Sequence, residues 1–216
     1  MSGFSKWGLM LGAAGALGLG AALWGEGVRF AAEYEQANGT VREDGGTLQT
    51  LSLPKRNRIK YIDPLDAAAL DEGLLYFGHA TCPYCRNMVP VMLQLAEDQG
   101  RIIQYVCTEQ WRDVWTVQDG VAMMQRAGGP GYDACLARYD ACLPEYLLKD
   151  ETGREVPVGE KRIYVPLVLH VAGGRVVGSW TTDDVDPTLL PRDKYEVWTP
   201  EQCEAVRMNM VQKLVL

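Results

Sequence analysis

The sequence predicts an α/β fold in which a mixed sheet is flanked by helices, preceded by one N-terminal transmembrane helix. Strand-like and helix-like patterns alternate from residue 59 to the C-terminus. A Cys-x-x-Cys motif at residues 82–85 separates an apolar run from a long helical pattern, which places it between a strand and a helix. Two β-rich runs flank Gly173-Gly174, a pattern typical of a hairpin. The length of 216 residues suits one such domain with an N-terminal extension.

Composition excludes several classes of protein. The net charge of -7 and the pI near 4.9 argue against a nucleic-acid partner, because neutralising phosphates requires clustered Lys and Arg. With 47% hydrophobic and 23% charged residues, the chain is neither disordered, nor collagen-like, nor a polytopic membrane protein. We therefore expect a globular domain that binds no nucleic acid.

Residues 7–25 are predicted to form a transmembrane signal-anchor after a cytoplasmic N-terminus at residues 1–6. The run from Trp7 to Trp24 has no charged side chain, and as a helix it would extend about 27 Å, close to the hydrocarbon thickness of a bilayer. Lys6 precedes the run and glutamates follow it, so the positive-inside rule places the following domain outside the cytoplasm. Two alternatives stay open: a cleaved signal peptide, which would release a secreted protein, and a buried Gly/Ala-rich core helix.

Residues 26–58 are predicted to be a linker that leads into a domain at residues 59–216. The segment is polar and contains the turn-forming pairs Asn38-Gly39 and Gly45-Gly46. Within it, residues 28–37 could continue the membrane helix outward for a few turns, and residues 47–53 are a weak strand candidate.

The first half of the domain follows a strand and helix order. A short strand is predicted at Ile59–Ile62, after which Asp63 caps a helix that begins at Pro64. The apolar run Leu74–Phe77 suits a central buried strand. A long helix is then predicted from Pro83 to about Gln99.

The second half begins with a core strand at Arg101–Cys107 and continues into an insert at about residues 108–162. Two helices are predicted in the insert, at Gln118–Arg126 and Tyr132–Leu148, separated by a glycine-rich breaker. The large apolar side chains of the insert suit either a substrate-facing surface or core packing: Trp111, Trp115, Met123 and Met124. A hairpin of Pro166–Val171 with Arg175–Trp180 and a helix that begins at Pro200 complete the domain.

The motif Cys82-Pro83-Tyr84-Cys85 has the position and spacing of a redox dithiol. A thiol at a helix N-terminus faces free backbone N–H groups, which favour the thiolate and lower the pKa, so Cys82 is the expected nucleophile. Cys85, almost one turn further, is placed to resolve a mixed disulfide at Cys82. Pro83 suits the first helical position, and Tyr84 offers an exposed ring beside the sulfur.

The two cysteines of the motif have two other interpretations. His79, Cys82 and Cys85 have the spacing of half a zinc site, but the chain has no second Cys-x-x-Cys and its other histidine, His170, lies in a predicted strand. Both cysteines could also be inert thiols in the core. Redox chemistry, with no metal and no cofactor, is the favoured interpretation.

Two segments, LLYFGHATCPYCRNMVP and YVPLVLHVAGGRVVG, resemble the thioredoxin superfamily over about residues 59–216. The resemblance implies that Pro90 is the proline of the active-site helix and that Pro166 is the cis-proline. A cis bond after Val165 would turn its backbone toward the dithiol, free to pair with a substrate strand; an ordinary strand-starting proline is the alternative. The motif is also similar to that of membrane-associated thioredoxin-like bacteriocin transport accessory proteins of Gram-positive bacteria.

The chain departs from the superfamily pattern at informative places. Where most thioredoxins have a buried acid in the strand before the motif, this chain has Tyr76, and where they have tryptophan just before the first cysteine it has Thr81. The insert before Pro166 is also much longer than in thioredoxin or glutaredoxin. The resemblance therefore implies the exchange chemistry but not the usual proton acceptor.

Four further cysteines are compatible with either of two roles: Cys107, Cys135, Cys142 and Cys203. Outside the cytoplasm they permit two structural disulfides, and otherwise they would pack as small buried hydrophobes. Cys135 and Cys142 are too far apart on one unbroken helix to pair with each other.

These observations predict a membrane-tethered, extracytoplasmic thiol-disulfide oxidoreductase that oxidises, reduces or isomerises protein disulfides. Its expected partners are protein dithiol or disulfide substrates, a redox partner protein, and the membrane through the N-terminal helix. The alternative is a non-catalytic thioredoxin-fold binding module, or a metal-linked one, in a secretion or accessory system.

Overall fold

The computed structural model describes residues 24–216. The predicted cytoplasmic N-terminus and nearly all of the predicted transmembrane segment, residues 7–25, lie outside these residues. Within residues 24–216, no helix is both long enough and apolar enough to cross a membrane.

The domain is mixed α/β, as predicted. Its strands are β1 (Ile59–Tyr61), β2 (Gly73–Gly78), β3 (Ile103–Cys107), β4 (Val114–Gln118), β5 (Val121–Arg126), β6 (Glu145–Lys149), β7 (Glu155–Lys161), β8 (Leu167–Ala172) and β9 (Arg175–Thr181). Its helices are α1 (24–36), α2 (Pro64–Ala68), α3 (Pro83–Asp98), α4 (Pro130–Tyr139) and α5 (Pro200–Leu214).

The main sheet has five strands in the order β1-β3-β2-β8-β9. Strand β3 pairs in parallel with both β1 and β2, whereas β8 pairs antiparallel with β2 and with β9. The mixed sheet confirms the predicted fold class, and β2 lies at its centre, where a continuous apolar run is expected because both faces are covered.

Neighbouring residues of β2 point into the two separate cores. Tyr76 belongs to the larger core, which includes apolar residues of α1, α3 and α5. Leu75 and Phe77 point the other way, into a smaller core with residues of α2 and α4. Helices therefore cover both faces of the sheet, and the side chain of Tyr76 is directed to the face on which α3 lies.

The helices begin where capping chemistry predicts. The Asp63 carboxylate accepts the backbone N–H of Leu65 at 2.8 Å, with Pro64 in the first helical position. Thr199 and Gln202 form a reciprocal capping box at the start of α5. These contacts satisfy backbone donors that a helix N-terminus leaves unpaired.

The predicted linker at residues 26–58 is wrong as a description of this segment, because the segment packs against the domain. Phe30 and Tyr34, on α1, are fully buried in the larger core, and Leu48 and Leu53 are almost as deeply buried there. The weak strand predicted at residues 47–53 is reduced to an isolated bridge at its first residue. The buried apolar residues of α1 and of the turn after it follow helical spacing: Phe30, Ala31, Tyr34 and Ala37. A helix at residues 28–37 agrees with the sequence, but its burial in the domain was not predicted.

The helical insert predicted at residues 108–162 is also wrong in most of its length. The helix predicted at Gln118–Arg126 is instead the hairpin of β4 and β5, which turns at Asp119 and Gly120 with positive φ angles of 52° and 75°. Both central residues of such a tight turn require this conformation, which Asp-Gly adopts readily. The helix predicted at Tyr132–Leu148 ends at Tyr139, and a second hairpin, β6 with β7, follows.

The insert is attached to the domain by polar and apolar contacts. Arg162 forms a buried ion pair with Asp113 at 2.6 Å and lies 4.0 Å from the ring centroid of Tyr146. On α4, the Tyr139 hydroxyl donates to the Ala67 carbonyl at 2.6 Å. The first two contacts join the hairpins to each other, and the third joins α4 to α2.

Candidate active site

The Cys-x-x-Cys motif lies at the junction between β2 and α3. Cys82 is the N-cap of α3, with extended φ and ψ of -88° and 119°, and its sulfur accepts the backbone N–H of Cys85 at 3.4 Å. Pro83 occupies the first helical turn, where its missing N–H would have had no partner. The N-cap position aims the free N–H groups of the helix at the Cys82 sulfur.

The surroundings of Cys82 favour its thiolate. A hydrogen bond from the Cys85 side chain is the largest cause that lowers the Cys82 pKa, and the backbone N–H groups of Cys85 and Tyr84 act in the same direction, against the effect of burial. The charge of Arg112 contributes further. A thiolate is the form of cysteine that attacks a disulfide.

The surroundings of Cys85 have the opposite effect on its pKa. Its side chain is fully buried, and burial followed by interaction with Cys82 raises its pKa well above the ordinary value. The two thiols are therefore electrostatically unequal, and Cys82 ionises before Cys85.

The segment before β8 lies against Cys82. The Val165–Pro166 bond is cis, and the Cys82 thiol lies 3.5 Å from the Val165 carbonyl, to which it donates a hydrogen bond. Pro166 is buried, whereas Tyr84 is 40% exposed. A cleft of about 420 Å³ is lined by Tyr164, Val165 and Pro166 together with residues of the insert and of β9. Of its lining residues, Val165 is the one that bonds to the Cys82 sulfur.

His79 is a buried neutral neighbour of the motif. Burial is the largest cause that lowers its pKa to about 4, and its Nδ1 lies 2.9 Å from the Thr81 hydroxyl, which donates to a Glu109 carboxylate oxygen at 3.1 Å. The carbonyl of His79 accepts the backbone N–H of Cys82 at 3.2 Å. In the part of the chain that the structure describes, no three His, Cys, Asp or Glu side chains are grouped to hold a metal ion.

Pro90 is the one predicted site residue that the structure does not bring to the dithiol. It lies inside α3, on an exposed position beyond the first turn, and the helix continues past it to Asp98. The other predicted residues gather around Cys82: His79, Pro83, Tyr84, Cys85, Val165 and Pro166.

Sequence reasoning missed two contributions to the site from the N-terminal segment. The Tyr34 hydroxyl oxygen, on α1, lies 2.8 Å from that of Tyr76, and Tyr76 acts against burial by lowering the pKa of Cys85. Arg86, the residue after Cys85, is fully buried and donates to the backbone carbonyls of Tyr34, Ala80 and Gln49. The only signal in the sequence for the second contribution was an arginine directly after the motif.

All six cysteines of the chain are free, so neither of the two possible structural disulfides is formed. Cys135 is buried between α4 and α2, where its thiol donates to the Pro64 carbonyl at 3.1 Å. Cys107, Cys142 and Cys203 are partly exposed.

The apolar residues of the insert are divided between surface and interior. Met123 and Met124 are each 46% exposed and Trp111 is 37% exposed, whereas Trp115 is half-buried and donates to Asp113. Trp111 also lines a cavity of about 670 Å³ together with Thr81 and Cys107. This part of the insert therefore borders the loop that leads into the motif.

Comparisons with protein families, with curated proteins and with solved structures gave no match for this chain.

Proposed function

We propose that this chain is a thiol-disulfide oxidoreductase with a thioredoxin-like fold, in which Cys82 is the nucleophile and Cys85 the resolving thiol. The observation that carries the proposal is the inequality of the two thiols. Cys82 caps a helix and accepts hydrogen bonds that lower its pKa, while Cys85 is buried one turn further with a raised pKa. Only such an ordered pair gives one attacking and one resolving sulfur.

The exchange proceeds in two balanced steps. The Cys82 thiolate attacks one sulfur of a substrate disulfide, forming a mixed disulfide and releasing the other substrate sulfur as a thiolate that takes up a proton. The Cys85 sulfur, after losing its proton, then attacks Cys82, so that the Cys82–Cys85 disulfide forms and the second substrate thiol leaves. The substrate gains two electrons and the dithiol loses two; the reverse sequence oxidises a substrate dithiol.

The proposed substrates are protein disulfides or dithiols in extended segments. The Val165 carbonyl lies beside Cys82. Two exposed rings are close to these residues in sequence: Tyr84 follows Cys82 by two residues, and Tyr164 directly precedes Val165. Backbone pairing with Val165 would hold a substrate strand, and the rings would contact its side chains. No cofactor takes part in this chemistry.

The direction proposed for the physiological reaction is oxidation of substrate dithiols. Hydrogen bonds that stabilise the Cys82 thiolate stabilise the reduced form of the pair, which makes its disulfide a better oxidant. The proposal also includes a membrane tether at residues 7–25, with the domain outside the cytoplasm and reoxidised by a redox partner protein.

The test is turnover of a protein disulfide substrate by purified protein, with dithiothreitol as electron donor. Cys82→Ser should abolish turnover, and Cys85→Ser should accumulate the substrate as a mixed disulfide on non-reducing gels. Cys203→Ser, a remote and partly exposed cysteine, is the matched control and should retain wild-type turnover. Full turnover by the Cys82→Ser variant would refute the proposal and favour a non-catalytic binding module.

The proposed topology has a separate test. In intact cells, a thiol reagent that cannot cross the membrane should label Cys82 without permeabilisation. Labelling only after permeabilisation would place the dithiol in the cytoplasm and refute the extracytoplasmic assignment.

A further inference from the structure

The first turns of α1 leave two large apolar side chains uncovered. Trp24 and Val28 are 61% and 38% exposed, and they lie four residues apart, on the same side of the helix. Phe30 and Tyr34, on another side, are buried in the larger core. Tryptophan at the end of a membrane span is typical of the boundary between hydrocarbon and water. If the predicted anchor precedes α1, the bilayer surface lies at the level of residues 24–28.

A loop that contains two basic residues packs against this same part of α1. The Asn57 side-chain amide donates to the Gly27 carbonyl at 3.1 Å, and a Cβ at Gly27 would lie 2.7 Å from the Lys55 carbonyl oxygen. Gly27 is two residues past the predicted end of the anchor, or about 3 Å along the helix axis. Lipid headgroups extend about 5–7 Å beyond the hydrocarbon on each side of a bilayer. The loop is therefore held at headgroup depth.

Three cations surround this part of α1, and none of them forms an ion pair within the part of the chain that the structure describes: Arg29, Lys55 and Arg56. All three residues are exposed, and the Arg29 guanidinium carbon lies 3.9 Å from the Tyr61 ring centroid. The carboxylate of Glu26 is directed to the domain, where it accepts the Tyr61 backbone N–H at 3.0 Å. These three cations form a basic corner of the domain.

Two further cations near the corner do not belong to it. Arg58 pairs with Glu97 at 2.8 Å. Lys60 alternates along β1 with Ile59 and Tyr61, which both contact the larger core, so its side chain is directed to the opposite face of the sheet. The corner stands out because the chain as a whole has a net charge of -7. An anionic surface would repel most of the domain and attract this corner.

We propose that the basic corner is a docking surface for the headgroups of anionic lipids, and that this docking fixes the orientation of the domain on the bilayer. The inference rests on the proposed tether, which brings the domain to the membrane but does not by itself orient it. Headgroup phosphates would pair with Lys55 and Arg56, while Trp24 and Val28 would lie at the hydrocarbon boundary.

The proposed orientation leaves the dithiol accessible. Ile59, directly after the loop, and Leu74 both pair with Ile103, so the basic corner lies at the end of the main sheet where β1 and β2 begin. Cys82 follows the other end of β2, whose six residues extend about 20 Å. Headgroups bound at the corner would therefore not cover the end of the sheet from which Cys82 acts.

The test is hydrogen exchange of the full chain in bilayer nanodiscs of phosphatidylcholine, with and without phosphatidylglycerol. The backbone N–H groups of Lys55 and Arg56 have no acceptor in the described part of the chain, so they exchange rapidly unless lipid covers them. Each cation near an anionic surface favours docking by about fivefold, so a peptide of residues 54–58 should exchange at least about tenfold more slowly in the anionic discs. The difference should vanish at about 1 M salt, where the Debye length is about 3 Å.

Lys55→Gln with Arg56→Gln should remove this protection, leaving exchange within about twofold of that in phosphatidylcholine discs. Both side chains are exposed, so the fold should persist. Lys149→Gln with Arg192→Gln is the matched control, because it changes the net charge by the same amount at exposed positions in the insert and in the loop before α5. The control variant should keep the protection.

Three outcomes in a tethered protein would overturn the inference: equal exchange of residues 54–58 in the two lipids, protection that persists without Lys55 and Arg56, and loss of protection in the control variant. Retention of the chain by nanodiscs of either lipid at high salt tests the anchor separately. A chain that leaves both kinds of disc would refute the proposed tether itself, and with it the docking surface that depends on it.

Discussion

Replacing Arg86 with methionine tests how the N-terminal segment is held on helix α3. The guanidinium is fully buried and donates to the carbonyls of Tyr34 at 2.8 Å, Ala80 at 2.9 Å and Gln49 at 3.1 Å. Two of these carbonyls belong to the segment between residues 24 and 53. Methionine is of similar length and apolar, so it fills the space but donates no hydrogen bond.

The expected loss of stability follows from the acceptors that would lose their donor. The Tyr34 carbonyl also accepts the Ala37 N–H at 3.3 Å, and a fourth acceptor of Arg86, the Asn38 amide oxygen, also accepts the Leu51 N–H at 2.9 Å. The carbonyls of Ala80 and Gln49 would be left without a donor, at a cost of about 1–3 kcal/mol each. Methionine removes the cost of burying a charge, which offsets part of that loss. We therefore expect a net destabilisation of about 1–3 kcal/mol.

The assay is equilibrium unfolding in urea, with the midpoint and slope fitted for each variant. Arg207→Met is the matched control, because Arg207 is at the surface of α5 and pairs only locally with Glu204, and its midpoint should stay near that of wild type. Arg86→Lys keeps the charge, but its ammonium group cannot reach all three carbonyls. Its urea midpoint should therefore lie between those of Arg86→Met and Arg207→Met. An Arg86→Met midpoint equal to that of Arg207→Met would refute the reasoning.

Two further predictions concern pH. Alkylation of Cys82 by iodoacetamide should reach half its maximal rate at a lower pH than alkylation of Cys203, since hydrogen bonds from Cys85 lower the first pKa and burial raises the second; a common midpoint would contradict this. His79 has a pKa of about 4 in the folded protein, against the ordinary histidine value of 6.5 that applies to the unfolded chain, so below pH 6.5 the unfolded state binds the additional proton. Stability should therefore fall by up to about 3 kcal/mol as the pH decreases from 6.5 to 4, and urea unfolding of His79→Asn should show a flatter dependence; parallel curves would contradict the assignment.

The junction of β2, Cys82 and α3 was predictable because local rules decide it. An apolar run of four residues between polar ones forms a buried strand, and Pro83 directly after a capping side chain begins a helix. The β8–β9 hairpin was predictable for the same reason, since Gly173 and Gly174 both adopt positive φ in its turn. Each of these signals lies within a few residues of the element that it specifies.

The remaining errors have two physical causes. In the insert, Asp119-Gly120 is a hairpin signal, but the flanking Ala, Met, Gln and Arg residues have high helix propensity, and the turn overrode them. At the site, Tyr34 meets Tyr76 across 42 residues of sequence. Such a contact depends on how α1 docks on the sheet, and the helical spacing of its apolar residues does not say which strand residue each of them meets.

The packing of residues 24–53 changes what the proposed tether would do. A flexible linker would have let the domain move away from the membrane surface. Helix α1 is instead fixed to the domain, because Phe30 and Tyr34 are buried in its core. Residue 24 and Tyr34 are ten residues apart on α1, or about 15 Å along the axis. An anchor that ends at residue 25 would therefore lead directly into α1, whose Tyr34 hydroxyl bonds to Tyr76 on the strand before the two cysteines. It would hold the dithiol at a short and defined distance from the bilayer surface, which suits exchange with a membrane-bound redox partner better than capture of distant substrates.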